Sequence, residues 1–171
     1  DNDYILKGKL RPIKRRRLFS QLKKLWPRAN NNRVGYRQIQ EKCAELIGSN
    51  GYFLDLPHCP HILNRSTMKN FFAENVSLLE VTLGHKFRHP EQIWVVSLFC
   101  HLVLLDNVAR IDNRFKTVNI KANSYSLKKV QRILGSAEYS PESCFLCIQS
   151  LDMASVESRN FITQWMAKTL S

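Results

Sequence analysis

The stretch that decides the expected fold is Ile93-Trp94-Val95-Val96-Ser97-Leu98-Phe99-Cys100-His101-Leu102-Val103-Leu104-Leu105. Eleven of its 13 residues are apolar, and neither of the two exceptions is a charged side chain at pH 7. The run is shorter than the roughly 20 residues that a membrane-spanning helix needs. It is also longer than an ordinary strand of about 5–6 residues. These lengths favour a helix buried inside a globular protein.

The start of this central helix is predicted from the residues before it. Proline is favoured in the first helical turn, where its missing N–H is not needed, and a carboxylate there meets the positive end of the helix dipole. Pro90 and Glu91 satisfy both preferences, so we expect a helix from Pro90 to about Leu105 that is buried on nearly every side. The residues expected to be almost inaccessible to solvent are Val96, Phe99, Cys100 and Val103.

Apolar residues at helical spacing predict the other elements. Helices are expected over residues 36–47, 66–83, 127–134, 142–151 and from 155 to the end, with Gly48, Gly84 and Gly135 as stops and Ser126 as a cap. A short strand or a loop is expected around Val118 and Ile120. The predicted fold is therefore mainly α, a single globular helical domain over residues 34–171 around one buried central helix. Residues 1–33 are expected to form a basic arm with a short amphipathic helix.

The positive charge of the chain is concentrated at its N-terminal end. The whole chain has a net charge of +12, and residues 1–42 contribute 13 basic residues against only three acidic ones. Such an asymmetry indicates a polyanionic partner, with nucleic acid favoured over an anionic membrane surface. A solvated charge run or a localisation signal is the remaining alternative.

Clustered arginine and lysine side chains bind phosphate by displacing its counterions. The residues predicted to contact nucleic acid are Arg11, Lys14, Arg15, Arg16, Arg17, Lys23, Lys24, Arg28, Arg33 and Arg37. Trp26 or Tyr36 would then stack on a base, although either side chain fits a helical core equally well.

The five cysteines are an odd number, and three of them lie in apolar patterns. This usage is typical of reduced, buried thiols in an intracellular compartment, without distinguishing nucleus, cytoplasm and mitochondrion. No stretch has the apolar core of a secretory signal. Because the chain begins with Asp1, a processed product or a fragment is expected.

Two stretches resemble the ribonuclease III catalytic domain, a helical fold. Residues 78–91 (LLEVTLGHKFRHPE) are similar to the opening of that domain, where a helix ends in Leu-Gly and an aromatic residue follows. Residues 142–162 are similar to its closing helix pair, which begins with a glutamate. The metal-binding Glu-x-x-Gly-Asp signature of the family is missing here, and its positional counterpart is Leu104-Leu105-Asp106-Asn107. The resemblance therefore implies a degenerate domain that does not cut RNA.

Catalytic and metal sites are not expected. Asp106, Asp112, Glu142 and Asp152 are the carboxylates that a divergent metal-dependent ribonuclease would use, but each also fits a helix end or a turn. Zinc ligands are conceivable at His58, Cys59 and His61, completed by His85 with His89 or by Cys144 with Cys147.

Cys100 and His101 are neighbours on a helix and point about 100° apart, so they cannot act as nucleophile and base. His101 is expected to be a hydrogen-bonded core residue.

The sequence thus predicts a non-catalytic protein that binds nucleic acid, RNA rather than DNA, and works with other proteins in a larger nucleoprotein assembly, without a cofactor. The first alternative is a protein-interaction or matrix-like module whose basic face binds anionic membrane. The second is the divergent metal-dependent ribonuclease.

Overall fold

The computed structural model describes residues 4–13, 35–49, 51–86, 89, 91–138 and 143–169. The helices in this part of the chain are α1 (Tyr36–Leu46), α2 (Arg65–Glu74), α3 (Val76–Gly84), α4 (Val95–Leu105), α5 (Leu127–Glu138) and α6 (Val156–Thr169). The strands are β1 (Tyr4–Leu6), β2 (Lys9–Pro12), β3 (Tyr52–Asp55), β4 (Ala109–Ile111), β5 (Lys116–Lys121) and β6 (Ser143–Gln149).

The prediction of a mainly α protein is wrong. Of the described residues, 49% are helical and 19% lie in strands, which form three small sheets, so the protein is mixed α/β. The chain also divides into two compact units. Unit 1 takes in residues 1–56 and 61–112, and unit 2 takes in residues 57–60 and 113–171.

Unit 1 is built around α4. The core contains Leu98, Phe99, Cys100 and Val103 from this helix, and all four are almost fully buried. Val96 was expected to be among them, but it is only half-buried. The helix also begins at Val95 and not at Pro90. Residues 97–101 and Val103 are buried, and because five consecutive residues cover the full circumference of a helix, the middle of α4 is buried on nearly every side, as predicted.

Strands from both ends of unit 1 pack around α4. β1 pairs with β4 in parallel, with Tyr4 opposite Ala109, and β2 pairs with β3 antiparallel. The predicted basic arm covers residues 1–33, and β1 and β2 lie within that range. Gly8, between β1 and β2, allows a close approach, because a Cβ atom there would lie 2.7 Å from the Leu54 side chain.

Buried polar side chains complete the hydrogen bonding of β3. One edge of β3 pairs with β2, and on the other edge the N–H of Leu54 donates to His101 Nε2 at 2.8 Å. The N–H of Leu56 donates to Gln40 Oε1 at 2.7 Å. Both acceptors are almost fully buried, so the strand leaves neither donor unsatisfied.

Local sequence signals predicted some helix ends correctly and others not. α1 ends just before Gly48, which has a positive φ of 72°, as the sequence predicts. The single helix predicted over 66–83 is two helices, because the chain breaks at Asn75, whose side chain donates to the carbonyl of Phe71. The cap of α2 is Asn64, whose side chain accepts from the N–H of Thr67, so this helix begins at Arg65, one residue before the predicted start.

Unit 2 consists of β5, α5, β6 and α6. β5 and β6 are parallel, and α5 forms the crossover that parallel neighbours require. Ile120, Val130, Leu134 and Ile162 form the centre of its core. Gly135 does not end α5, which continues to Glu138. Ser155 caps α6 by accepting from the N–H of Ser158, so the last predicted helix is confirmed.

The strand β6 replaces a predicted helix. Residues 143–149 are a strand, although their apolar pattern and the ribonuclease III resemblance both implied a helix over 142–148. A short continuous apolar run fits a buried strand as well as a buried helix, and here pairing with β5 decides the outcome. The helix end implied at Leu83-Gly84 is present. None of the described helices combines the length and the apolar character needed to cross a lipid bilayer.

Candidate nucleic-acid interface

Two of the arginines predicted to contact phosphate meet at one carboxylate. Arg11 lies in β2, and the antiparallel register puts it opposite Phe53, two residues before Asp55 in β3. Arg37 lies in the first turn of α1. Arg11 Nε donates to Asp55 Oδ2, and Arg37 Nη2 lies 3.4 Å from the same oxygen. The fold therefore brings together two residues that are 26 positions apart in the sequence.

A shallow pocket opens beside this ion pair. It has a volume of about 380 Å³ and is lined by Arg11, Pro12, Arg37, Glu41 and Phe53. The two guanidinium groups are balanced by the carboxylates of Asp55 and Glu41, so the charges around the pocket sum to zero. The pocket can orient an anion through hydrogen bonds, but it does not supply a long-range attraction of its own.

The two guanidinium groups keep donors for a second acceptor. Each carries five N–H groups in a planar fork that matches the oxygens of a phosphate. Within the described residues, only Arg11 Nε and Arg37 Nη2 are within 4.0 Å of Asp55 oxygens. Arg37 is also well exposed, with 61% of its side chain accessible. Asp55 thus holds one nitrogen of each guanidinium group, at the pocket that both arginines line.

The remaining predicted phosphate contacts lie outside the described residues: Lys14, Arg15, Arg16, Arg17, Lys23, Lys24, Arg28 and Arg33. The same is true of Trp26, the first candidate for base stacking. Tyr36, the second, is half-buried and packs on Trp94 with a ring-centroid distance of 4.9 Å. Tyr36 therefore contributes to the packing of unit 1.

Tyr52 is a stacking candidate that the sequence analysis missed. It is 54% exposed and lies opposite Pro12, which lines the pocket. Exposed aromatic rings can hold unstacked bases. Tyr52 is in register with Pro12 and Phe53 is in register with Arg11, so the side chains of Tyr52 and Arg11 leave opposite faces of the β2–β3 pair. The sequence offers no alternation that would mark Tyr52 as exposed, since Tyr52-Phe53-Leu54 is a continuous apolar run in which Phe53 and Leu54 are both buried.

The carboxylates considered for catalysis do not converge in the described part of the chain. Asp106, Asp112 and Asp152 belong to no group of three potential metal ligands there, and Glu142 lies outside the described residues. His58, Cys59 and His61 do not form such a group among the described residues either. The ligand atoms of His85, His89 and Glu91 do lie close together.

The thiols offer no nucleophile at this surface. Cys43, Cys59, Cys100 and Cys147 form no disulfide within the described residues, and Cys43 and Cys100 are fully buried. Burial raises the pKa of the Cys43 thiol, so it stays protonated at neutral pH. The side chain of Cys144 lies outside the described residues.

No family model, no curated protein and no solved structure matches this chain. The function is therefore argued from the residues themselves.

Proposed function

We propose that the protein binds RNA through its basic N-terminal segment, within a larger nucleoprotein assembly and without catalysing a reaction. The observation that carries this proposal is the charge distribution. Residues 1–42 hold half of the 26 basic residues of the chain but only three of its 14 acidic ones. The other 129 residues are close to neutral, so nearly all of the attraction for phosphate arises from this segment.

The geometry at β2 and α1 supports the proposal. Arg11 and Arg37 line the pocket and are both held by Asp55, and Tyr52 exposes its ring on the other face of the same strand pair. Attraction would come from the neighbouring basic residues, and orientation from this pair. A single strand is favoured over a duplex, because an exposed ring such as that of Tyr52 suits splayed bases, and RNA is the partner that we propose.

Helix α3 supports the assembly part of the proposal. None of its residues is buried, although most of them are apolar. Val76, Val81 and Leu83 are 53%, 42% and 72% exposed, so the helix presents an apolar surface to its surroundings. Such a surface is typical of a contact with another protein. Four cysteines that form no disulfide within the described part of the chain fit a reducing intracellular compartment, which we include in the proposal.

The salt dependence of RNA binding tests the proposal. We expect the affinity of the 171-residue chain for a generic single-stranded RNA to fall steeply with salt, because each phosphate contact contributes about 0.7 to the slope of log affinity against log salt concentration. Replacing Arg15, Arg16 and Arg17 with alanine removes three contacts. The slope should therefore decrease by about 2 units, with thermal stability nearly unchanged.

A matched control removes three positive charges elsewhere. Lys121, Lys128 and Arg132 are exposed residues of unit 2, and their replacement by alanine lowers the net charge by the same amount. The control should keep most of the slope. If the Arg15–Arg17 variant binds RNA as tightly as the parent at every salt concentration, or if both variants lose equal slope, the N-terminal segment is not the binding element.

Competition experiments separate RNA from the other polyanions. Single-stranded DNA of the same length should compete less well than RNA. Vesicles with a high content of anionic lipid should compete weakly. A membrane-binding module would bind them more tightly, because the insertion of its apolar side chains would add to the charge attraction. Tighter binding to the vesicles than to RNA would favour the membrane alternative and contradict our proposal.

A further inference from the structure

The connection between α3 and α4 brings three potential metal ligands together. They are His85, His89 and Glu91, and their ligand atoms all lie within 4.8 Å of one another. His85 Nε2 is 3.2 Å and His89 Nδ1 is 3.6 Å from Glu91 Oε2. The three residues span only seven positions, and their ligand atoms converge.

These distances match the edges of a metal coordination polyhedron. Zinc binds imidazole nitrogen and carboxylate oxygen at about 2.0–2.2 Å, so neighbouring ligand atoms in a tetrahedron are about 3.4 Å apart. The two separations from Glu91 Oε2 lie within a few tenths of an ångström of that value. We propose that His85, His89 and Glu91 bind one divalent transition-metal ion, with zinc as the best match.

The backbone around the three ligands is held by groups that do not use the ligand atoms. Gln92 Nε2 donates to the carbonyls of His85 and Thr82, at 2.9 and 3.1 Å, and Gln92 Oε1 accepts from the N–H of His89 at 2.8 Å. Lys42 Nζ donates to the carbonyl of Glu91 at 2.6 Å. Outer contacts of this kind orient metal ligands and raise affinity. Gln92 therefore acts as a positioning residue for both histidines.

One of the ligand atoms already accepts a hydrogen bond. The N–H of Glu91 donates to His89 Nδ1 at 3.3 Å, and a metal ion bound at this nitrogen would replace that hydrogen bond. The rings of His85 and His89 are stacked, with centroids 3.7 Å apart and planes 12° apart. Lone pairs in two parallel planes do not meet at one point. Metal binding therefore turns one ring out of the stack, and His89, with 43% of its side chain exposed, has space to turn.

The donor set decides which ions are accepted. Two imidazoles and one carboxylate suit zinc and the neighbouring transition metals, whereas magnesium and calcium prefer oxygen ligands. The site also has a structural consequence, since an ion there would tie the end of α3 to the residues that lead into α4. This inference does not depend on RNA binding.

The experiment uses the 171-residue chain freed of metal with a chelator and titrated with zinc against a chromogenic competitor. We expect one zinc per chain, and cobalt should give the visible absorption bands of a four-coordinate nitrogen–oxygen site. His85→Ala and His89→Ala should each lower zinc affinity by at least about 100-fold. Gln92→Leu, which keeps all three ligands, should lower it by about 10- to 100-fold.

The matched control is His58→Ala combined with Cys59→Ala, which removes the zinc candidates suggested by the sequence. This variant should bind zinc like the parent. Circular dichroism of each variant without metal should match that of the parent, because the three ligands are at the surface. Zinc affinity that is unchanged by His85→Ala and His89→Ala, or that is lost only in the His58/Cys59 variant, would overturn the proposal.

Discussion

At the scale of single residues, His101 is the clearest case of a side chain whose chemistry is set by burial. A backbone N–H can only donate, so the hydrogen bond from Leu54 requires His101 Nε2 to be unprotonated. Nδ1 therefore carries the hydrogen and donates to the carbonyl of Ser97 at 2.6 Å. Both ring nitrogens are used in the core, and the prediction of a hydrogen-bonded core histidine is confirmed. His101 is not a general base for Cys100.

This arrangement predicts a loss of stability in mild acid. Burial lowers the pKa of His101, so the folded protein keeps it neutral at pH values where the unfolded chain takes up a proton. Below the ordinary value of about 6.5, His101 should therefore reduce the free energy of unfolding by up to about 1.4 kcal/mol for each unit of pH. Urea unfolding at several pH values between 7.5 and 5.5 measures this dependence.

His101→Gln is the matching variant, because its amide oxygen retains an acceptor for the N–H of Leu54 but does not titrate. Its stability should depend less on pH than that of the parent. An NMR titration of the parent gives a second measurement, in which the His101 ring should remain neutral at pH 6.5. Equal pH dependence of both proteins, or a ring that is half-protonated at pH 6.5, would contradict the prediction.

At the scale of elements, α3 and α4 are both apolar but have different environments. α4 has six buried residues, whereas α3 has none. Composition alone does not separate them, since a helix buries a residue only where another element covers it. Val96 is an example within α4: it packs against the core but is covered only in part, and it is therefore half-buried.

We therefore predict a large loss of stability from a leucine-to-alanine substitution in α4 and a small change from the same substitution in α3. Leu98→Ala in α4 should lower the free energy of unfolding by about 2–5 kcal/mol, because it leaves a cavity at a site with no solvent exposure. Leu83→Ala in α3 should change it by less than about 0.5 kcal/mol, since Leu83 is 72% exposed. Chemical denaturation followed by circular dichroism compares them. Similar losses in both variants would mean that α3 is covered as α4 is.

At the scale of the whole molecule, the basic segment and the fold of unit 1 overlap. Residues 4–12 form β1 and β2, and Leu6 is buried in the core with only 3% exposure. The hydroxyl of Tyr4 accepts a hydrogen bond from Asn64 Nδ2 at 3.0 Å, and its ring packs edge-on against Phe99. The start of the chain is therefore a structural part of unit 1, and binding and stability must be tested by different changes.

Deleting residues 1–13 should destabilise unit 1. The deletion removes the partners of β3 and β4 and the buried side chain of Leu6, whose loss alone is worth about 2–5 kcal/mol. Thermal unfolding should show a clearly lower midpoint for the deletion than for the Arg15–Arg17 variant. A deletion with the midpoint of the parent would show that β1 and β2 contribute nothing to the stability of unit 1.

The sequence by itself was sufficient for features that depend on neighbouring residues. The end of α1 at Gly48, the start of α6 after Ser155 and the buried run in α4 follow from hydrogen bonds and periodicities that span only a few residues. The excess of positive charge in residues 1–42 is likewise a property of composition. These predictions needed no knowledge of how distant segments meet.

Only the tertiary structure decided the strands and the clusters of side chains. β1, β4 and β6 are defined by partners far away in the chain, because a strand makes its hydrogen bonds with another segment, whereas a helix makes them within itself. The apolar run in β6 was therefore compatible with either structure until β5 paired with it. The ion pairs of Arg11 and Arg37 with Asp55, and the approach of His85 and His89 to Glu91, depend in the same way on where the chain folds back.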